Sequence, residues 1–215
     1  MTSPHTESRP NWQARLVAAL VALAASWFVA VQDPVPAWEV RLTRWINDAP
    51  GAVAWLLWPV MQLGSLVGPV LVAVVLVVVR RPKRAVMVLV SGVGAWYLAK
   101  FVKSIVERGR PLAYVPGVEV REGEGTGLGY VSGHSAVAFA VAFALSPILP
   151  RWGRWLAIGA AAAVGLARIV YGVHLPADVV GGAALGVLVA TAVEAIALVL
   201  GRRRAEASSA PASTV

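Results

Sequence analysis

Three short stretches of the chain carry residue types that suit phosphate binding and proton transfer. They are Lys103 with Arg110-Pro111, Ser132-Gly133-His134, and Arg168 with His174 and Asp178. Each sits beside long runs of Ala, Val and Leu, where an ionisable group is costly and so points to function. Arginine offers a planar fork that matches phosphate oxygens, and lysine adds a point charge. Ser132 and Gly133 precede an apolar run, so a hydroxyl and backbone N–H groups at a helix start can face an anion. Gly133 lets the backbone come close to it. Histidine exchanges protons near neutral pH and can act as a nucleophile. Taken singly, each residue has a plainer explanation. Lys103 is placed to reach the interface from a helix end, Arg168 to anchor another, and His134 to start a helix. Those separate explanations do not account for the spacing of the whole set.

The elements that must position these residues are helical and membrane-embedded. The chain has 215 residues, of which 58% are hydrophobic, and its mean hydropathy is +0.71. That pattern predicts an all-α polytopic membrane protein with six transmembrane helices and a short outer interfacial helix. The formal charge of +8 would suggest nucleic acid in a soluble protein. Here most cations flank apolar runs, where they set topology and meet lipid headgroups. No nucleic-acid partner is expected. The chain has no cysteine, which excludes disulfides, thiolate catalysis and cysteine-ligated metal. It has three histidines. His5 lies in a polar tail, so no His-rich metal cluster is expected.

In order, residues 1–15 are expected as a disordered cytoplasmic tail, 16–201 as one six-span domain, and 202–215 as a basic and then disordered cytoplasmic tail. Leu16–Val31 reads as a retained anchor helix rather than a cleaved signal peptide. Trp38, Leu42, Trp45 and Ile46 recur at helical spacing, with Glu39, Arg41, Arg44 and Asp48 on the other faces. This predicts the amphipathic helix of the outer interface, as a connector rather than a lid. Residues 51–79 divide at Pro59, Gln62 and Gly64 into an interfacial or re-entrant piece and a span from about Ser65. Further spans are expected over 85–102, 136–149, 155–171 and 177–200, with a polar loop over 104–133. The proposed inner segments hold 11 of the 19 lysines and arginines. Both termini are then cytoplasmic, and all three chemical stretches share the outer face.

The set of Lys103, six residues, Arg110-Pro111, then Ser132-Gly133-His134, then Arg168, five residues, His174, three residues, Asp178 resembles the type 2 phosphatidic acid phosphatase superfamily. The resemblance is to its integral-membrane lipid phosphatase branch, with motifs over about 85–200. It implies that His174 is the nucleophile, forming a phosphohistidine. Asp178 supports its other ring nitrogen, and His134 is the general acid and then base. Lys103, Arg110, Ser132, Gly133 and Arg168 would bind phosphate, with no metal and no cofactor. Two positions depart from the family pattern: Val131 stands where a proline is usual, and Ala167 where a serine is usual. The first can loosen the turn that aims Ser132. The second loses a hydroxyl that could help bind or orient phosphate. Gly123–Gly129 looks like a nucleotide loop only superficially, with no preceding strand and no Walker lysine. It is expected as a flexible outer loop, with Glu119, Glu122 and Glu124 solvated.

The expected function is hydrolysis of a lipid phosphate or pyrophosphate at the extracytoplasmic face of a bacterial-type plasma membrane. Undecaprenyl pyrophosphate leads, beside glycerolipid phosphates such as phosphatidylglycerophosphate. The expected partners are that substrate and membrane lipids, with no obligate protein partner. The alternatives are a phosphotransferase on the same scaffold and a non-catalytic lipid-binding or transport protein. A vanadium haloperoxidase shares the anion site by resemblance, but those are soluble.

Overall fold

The computed structural model describes residues 12–209. The expected N-terminal tail up to residue 11 and the last six residues lie outside the described residues. Eight α-helices follow one another: α1 Trp12–Ala30, α2 Ala37–Asn47, α3 Gly51–Met61, α4 Val67–Val78, α5 Pro82–Val106, α6 Gly133–Leu145, α7 Arg151–Val170 and α8 Pro176–Ser209. Within the described residues, α1 reaches back to Trp12 and α8 on to Ser209, beyond the apolar runs that set the expected 16–201 limits. The α helix needs only hydrogen-bonded turns, so its polar first and last residues extend it past the apolar stretch.

Among the described residues, four helices are long and apolar enough to cross a membrane: α1, α5, α7 and α8. The pair α3 and α4 qualifies jointly, bent by 65° at the break that follows the Gln62–Gly64 3-10 turn, where the sequence places the start of a span near Ser65. Residues Gly133–Ile148, α6 and its trailing 3-10 turn, form a shorter apolar helix. The basic segment Arg80–Arg84 makes the tight α4–α5 turn, and Pro82 takes the first helical position, where its missing N–H costs nothing.

Helix α6 sits at the centre, packed against α5, α7 and α8, and its side chains are mostly Ala and Val. Gly182 and Gly186, one turn apart on α8, let the two backbones touch. A Cβ on Gly182 would lie 2.3 Å from the Ser132 carbonyl oxygen, and one on Gly186 2.2 Å from that of Ala136. Small residues at this spacing bring membrane helices close enough for backbone contact. The start of α6, with His134, is thereby locked to the start of α8. Helix α1 packs along α8, and its Ser26 hydroxyl meets the Tyr130 hydroxyl at 3.0 Å. Around this bundle, α1 and α4 turn Val17, Phe28, Val74 and Val78 outward, as lipid-facing helices do.

Helix α2 turns its polar face toward the protein. Trp38 and Trp45 are exposed, whereas Glu39, Thr43 and Asn47 are buried. The polar stripe at i, i+4 and i+8 faces the protein, and the aromatic stripe faces out. In lipid surroundings the protein interior is where polar groups find partners, so an amphipathic helix is turned inside out.

Candidate active site

The α7–α8 turn sets the histidine. Gly172 adopts φ +67°, a conformation that glycine reaches without a Cβ penalty. A Cβ there would also lie 2.4 Å from the Glu119 carbonyl oxygen. The chain then returns through Val173, whose N–H donates to the Arg168 carbonyl at 3.2 Å. His174 and Leu175 follow, and Pro176 opens α8. Leu175 holds the N-cap position and has no capping side chain. Two carboxylates supply what it lacks. Asp178 folds back, and its Oδ2 accepts from the Leu175 N–H at 2.9 Å. Glu39 Oε1, from α2, accepts from the Ala177 N–H at 2.8 Å. Both satisfy orphan donors at the positive end of the helix.

Behind the histidine lies a buried ionic chain. His174 Nδ1 is 3.3 Å from Asp178 Oδ2. Asp178 Oδ1 accepts from an Arg108 guanidinium nitrogen at 3.1 Å. The other guanidinium nitrogen donates to Glu39 Oε2 at 2.5 Å. The Arg108, Glu39 and Asp178 side chains are 3%, 0% and 0% exposed. One cation shared by two carboxylates, each of which also accepts a backbone N–H, gives each of these charges polar partners at this depth.

In front of the histidine lies a cavity of about 420 Å³. Lys103, Arg110, Gly133, His134, Arg168 and His174 line it, with Trp96, Ala99, Lys100, Ser104 and Leu128. Six of the eight residues singled out in the sequence thus meet around one space. Asp178 stands behind His174. Ser132 does not line the cavity: its buried hydroxyl accepts from the Ser135 N–H at 3.4 Å and from the Ser135 hydroxyl at 3.1 Å, capping α6. Gly133 and His134 occupy the first helical positions of α6, where backbone N–H groups have no partner within the helix.

The cations of the cavity are held in different ways. Lys103 Nζ donates to the carbonyls of Leu128 and Gly129, at 2.8 and 2.6 Å. Arg168 is buried, donates to the Met61 sulfur at 3.2 Å, and pairs with Glu122. The Nε atoms of Arg110 and Arg168 are buried and lack a partner. Such donors are costly unless an acceptor arrives. His174 lies between the helices, and burial holds its pKa well below the ordinary imidazole value. The positive charges of Lys103, Arg168 and Arg110 add to this. A hydrogen bond to the Gly129 backbone acts in the opposite direction, but burial prevails and the ring is neutral at neutral pH.

Arg108, Glu39 and Glu122 were not foreseen as parts of the site. Residues 107–110 are non-helical and extended at Arg110. Arg110 lines the cavity, and Arg108 joins the buried chain behind it. The signal for Glu39 was the polar stripe it shares with Thr43 and Asn47. Glu122 is not simply solvated, since it reaches Arg168 from the outer loop. Ala167 is fully buried in an apolar cluster with Ala54, Met61 and Tyr171.

A family model, described as PAP2 superfamily, matches residues 84–201. This chain belongs to the PAP2 superfamily. It is 32% identical over 114 residues to a protein of Sulfolobus acidocaldarius named undecaprenyl-diphosphatase, covering 53% of this chain and 55% of that protein. It is 34% identical over 112 residues to the bacitracin transport permease protein BcrC of Bacillus licheniformis, covering 51% and 55%. The chain thus spans about half the length of the curated relatives it matches. Two solved structures share the fold. LpxE of Aquifex aeolicus has a TM-score of 0.69 and 22% identity, covering 74% of this chain and 96% of that one. A transmembrane PAP2 type phosphatidylglycerolphosphate phosphatase from Bacillus subtilis has a TM-score of 0.72 and 21% identity, covering 86% and 96%.

Proposed function

We propose that this PAP2 protein is a lipid phosphatase that hydrolyses a polyprenyl diphosphate or a glycerolipid phosphate through a phosphohistidine. Undecaprenyl diphosphate is the leading substrate. The observation that carries the reading is the meeting of His174, His134, Lys103, Arg110 and Arg168 around one cavity. The relative named undecaprenyl-diphosphatase supports the choice of substrate.

The phosphate to be transferred binds between Lys103, Arg110 and Arg168, and takes the unpartnered Nε donors and the first N–H groups of α6. Asp178 occupies the Nδ1 side of His174, so Nε2 attacks phosphorus. A P–N bond forms as the bond to the leaving oxygen breaks. His134 gives that oxygen a proton. Asp178 stabilises the positive ring that results, and Arg108 and Glu39 hold Asp178 in place. Water then attacks the phosphohistidine, passes its proton to His134 and releases phosphate, restoring both histidines. The cations and helix N-terminus spread the charge of the transition state, so the reaction is expected to proceed in EDTA.

Six spans fit this reading: α1, the bent pair α3–α4, α5, α6, α7 and α8. Helix α6 with its 3-10 turn has 16 residues, about 24 Å at 1.5 Å per residue, and is sheltered by its neighbours. Helix α2 then lies at the outer face beside the site, and both termini are cytoplasmic. The densely basic turns at Arg80–Arg84 and Arg151–Arg154 support that orientation.

The test is phosphate release by detergent-purified protein in EDTA, from undecaprenyl diphosphate, phosphatidate and phosphatidylglycerophosphate. Wild type releases phosphate and His174→Ala does not. Turnover only with an added hydroxyl acceptor would identify a transferase, and no turnover with folded protein would favour a non-catalytic lipid-binding role.

A further inference from the structure

Lys100 belongs to the cavity wall but has no part in the reaction just described. It lies on α5 one turn before Lys103. Its side chain is exposed, and its ammonium rests 5.6 Å from the centre of the Trp96 ring and 5.9 Å from that of Tyr97. A lysine that merely snorkels carries its charge away to the interface. This one keeps its charge at the cavity, over two aromatic faces that bind a cation weakly at an exposed site. The Trp96 ring is shared: its other neighbour is His134, with ring centres 5.9 Å apart.

The direction of the lipid tail places this charge. Beside Lys100 on α5, Tyr97 and Phe101 are exposed apolar residues, as is Leu128 in the cavity wall. A tail leaving the cavity passes over them into the bilayer. In a lipid diphosphate, the phosphate that stays on the lipid is bonded between the transferred phosphate and the tail. It must therefore lie between the cluster of Lys103, Arg110 and Arg168 and this apolar exit, which is where Lys100 stands. The cluster is taken up by the transferred phosphate, with Lys103 also donating to two carbonyls and Arg168 pairing with Glu122, so a second phosphate calls for a further cation.

We propose that Lys100 is the subsite for the second, non-transferred phosphate of a lipid diphosphate, so that it selects diphosphates over monophosphates. The proposal rests on the phosphatase reading above and adds the substrate class. The ammonium leaves or shares its aromatic seat for a charge-assisted hydrogen bond to phosphate, which is the stronger interaction.

The test compares geranylgeranyl diphosphate with geranylgeranyl phosphate, which share one tail, on wild type, Lys100→Met and Lys100→Arg. The ratio of kcat/KM for diphosphate to that for monophosphate should fall about tenfold in Lys100→Met, equivalent to about 1.4 kcal/mol. Lys100→Arg should keep most of the ratio. An unchanged ratio in Lys100→Met, with either substrate turned over, would overturn the subsite and leave the phosphatase reading standing. Calorimetric titration with inorganic pyrophosphate and orthophosphate reads the subsite without turnover. Lys100→Met should lose wild-type discrimination in favour of pyrophosphate, and equal discrimination in both proteins would contradict the proposal even if hydrolysis failed.

Discussion

Arg108 and Arg110 stand two residues apart on one non-helical segment, and their surroundings differ. Arg108 is enclosed by Glu39 and Asp178, both fully buried. Arg110 instead lines the cavity, while the Nε atoms of both arginines are buried without a partner. The same contrast divides the whole site. Behind His174 the charges are paired; in front of it, several donors are held ready for an anion. On the proposed function, the back fixes the geometry and the front takes the substrate. Substitutions on the two sides should therefore differ in kind.

The largest effect is expected at the back. Arg108→Met leaves two carboxylates buried with no cation, and removing one partner of a buried ion pair costs about 3–5 kcal/mol. The variant should unfold at markedly lower temperature in detergent and lose nearly all activity. Arg110→Met should keep the wild-type unfolding temperature, and lose activity mainly through a raised KM. Equal unfolding temperatures for the two variants would break the contrast. Glu39→Gln is milder, because Asp178 still holds Arg108. A loss of about 1–3 kcal/mol, the scale of a hydrogen bond to a charged group, should appear as a lower unfolding temperature, with kcat reduced and KM little changed.

At the front, Lys103→Met tests the charges that keep His174 neutral. His174 must be unprotonated to attack, and its pKa lies well below the ordinary imidazole value, so wild-type activity should hold as pH falls through the ordinary range. Burial is the first cause, and Lys103 is the first of the cations that add to it. Removing Lys103 raises the pKa of His174, so the acid limb of kcat/KM should move toward neutral pH. An unmoved or lower limb would show that Lys103 does not act on His174.

Smaller effects are expected where the front is already occupied. Glu122 competes with phosphate for Arg168 from a half-exposed position, so Glu122→Gln should lower KM a few-fold. That corresponds to about 1 kcal/mol or less for a partly exposed pair. A raised KM would mean that Glu122 instead orients Arg168. Ala167→Ser should change activity little, because the side chain at 167 faces Met61 and Tyr171 within an apolar cluster. The missing family serine is thus read as a packing change, and a large gain in activity would show that its hydroxyl reaches the site.

The front of the site was legible in the sequence, and the back was not. Lys103, Arg110, Gly133, His134, Arg168 and His174 carry short spacings that repeat on one face of an apolar chain, and charge among apolar residues stands out. Asp178 was legible as the partner of His174, because both lie at one helix start. Glu39 is 135 residues from His174, and helix periodicity placed it on a polar face without saying that this face turns inward. That depends on lipid lying outside, which inverts the usual rule for an amphipathic helix. Arg108 was hidden by the strength of its neighbour, since nothing in the spacing says which of the two arginines faces the cavity. Ser132 was assigned to phosphate by its position at a helix start, and the same position explains why its hydroxyl caps α6. The spans were readable from hydropathy, but the 65° bend between α3 and α4 and the short α6 reflect packing around the site.

The central claim is that His174 takes the phosphoryl group, and a rapid acid-free quench with terminally labelled lipid substrate tests it most directly. Wild-type protein denatured within the first turnovers should carry label that is stable to alkali and released by acid, as a phosphohistidine is. His174→Ala should carry none, while Arg110→Met should still label, more slowly. Label on His174→Ala, or turnover by wild type with no labelled protein at any time, would contradict the account.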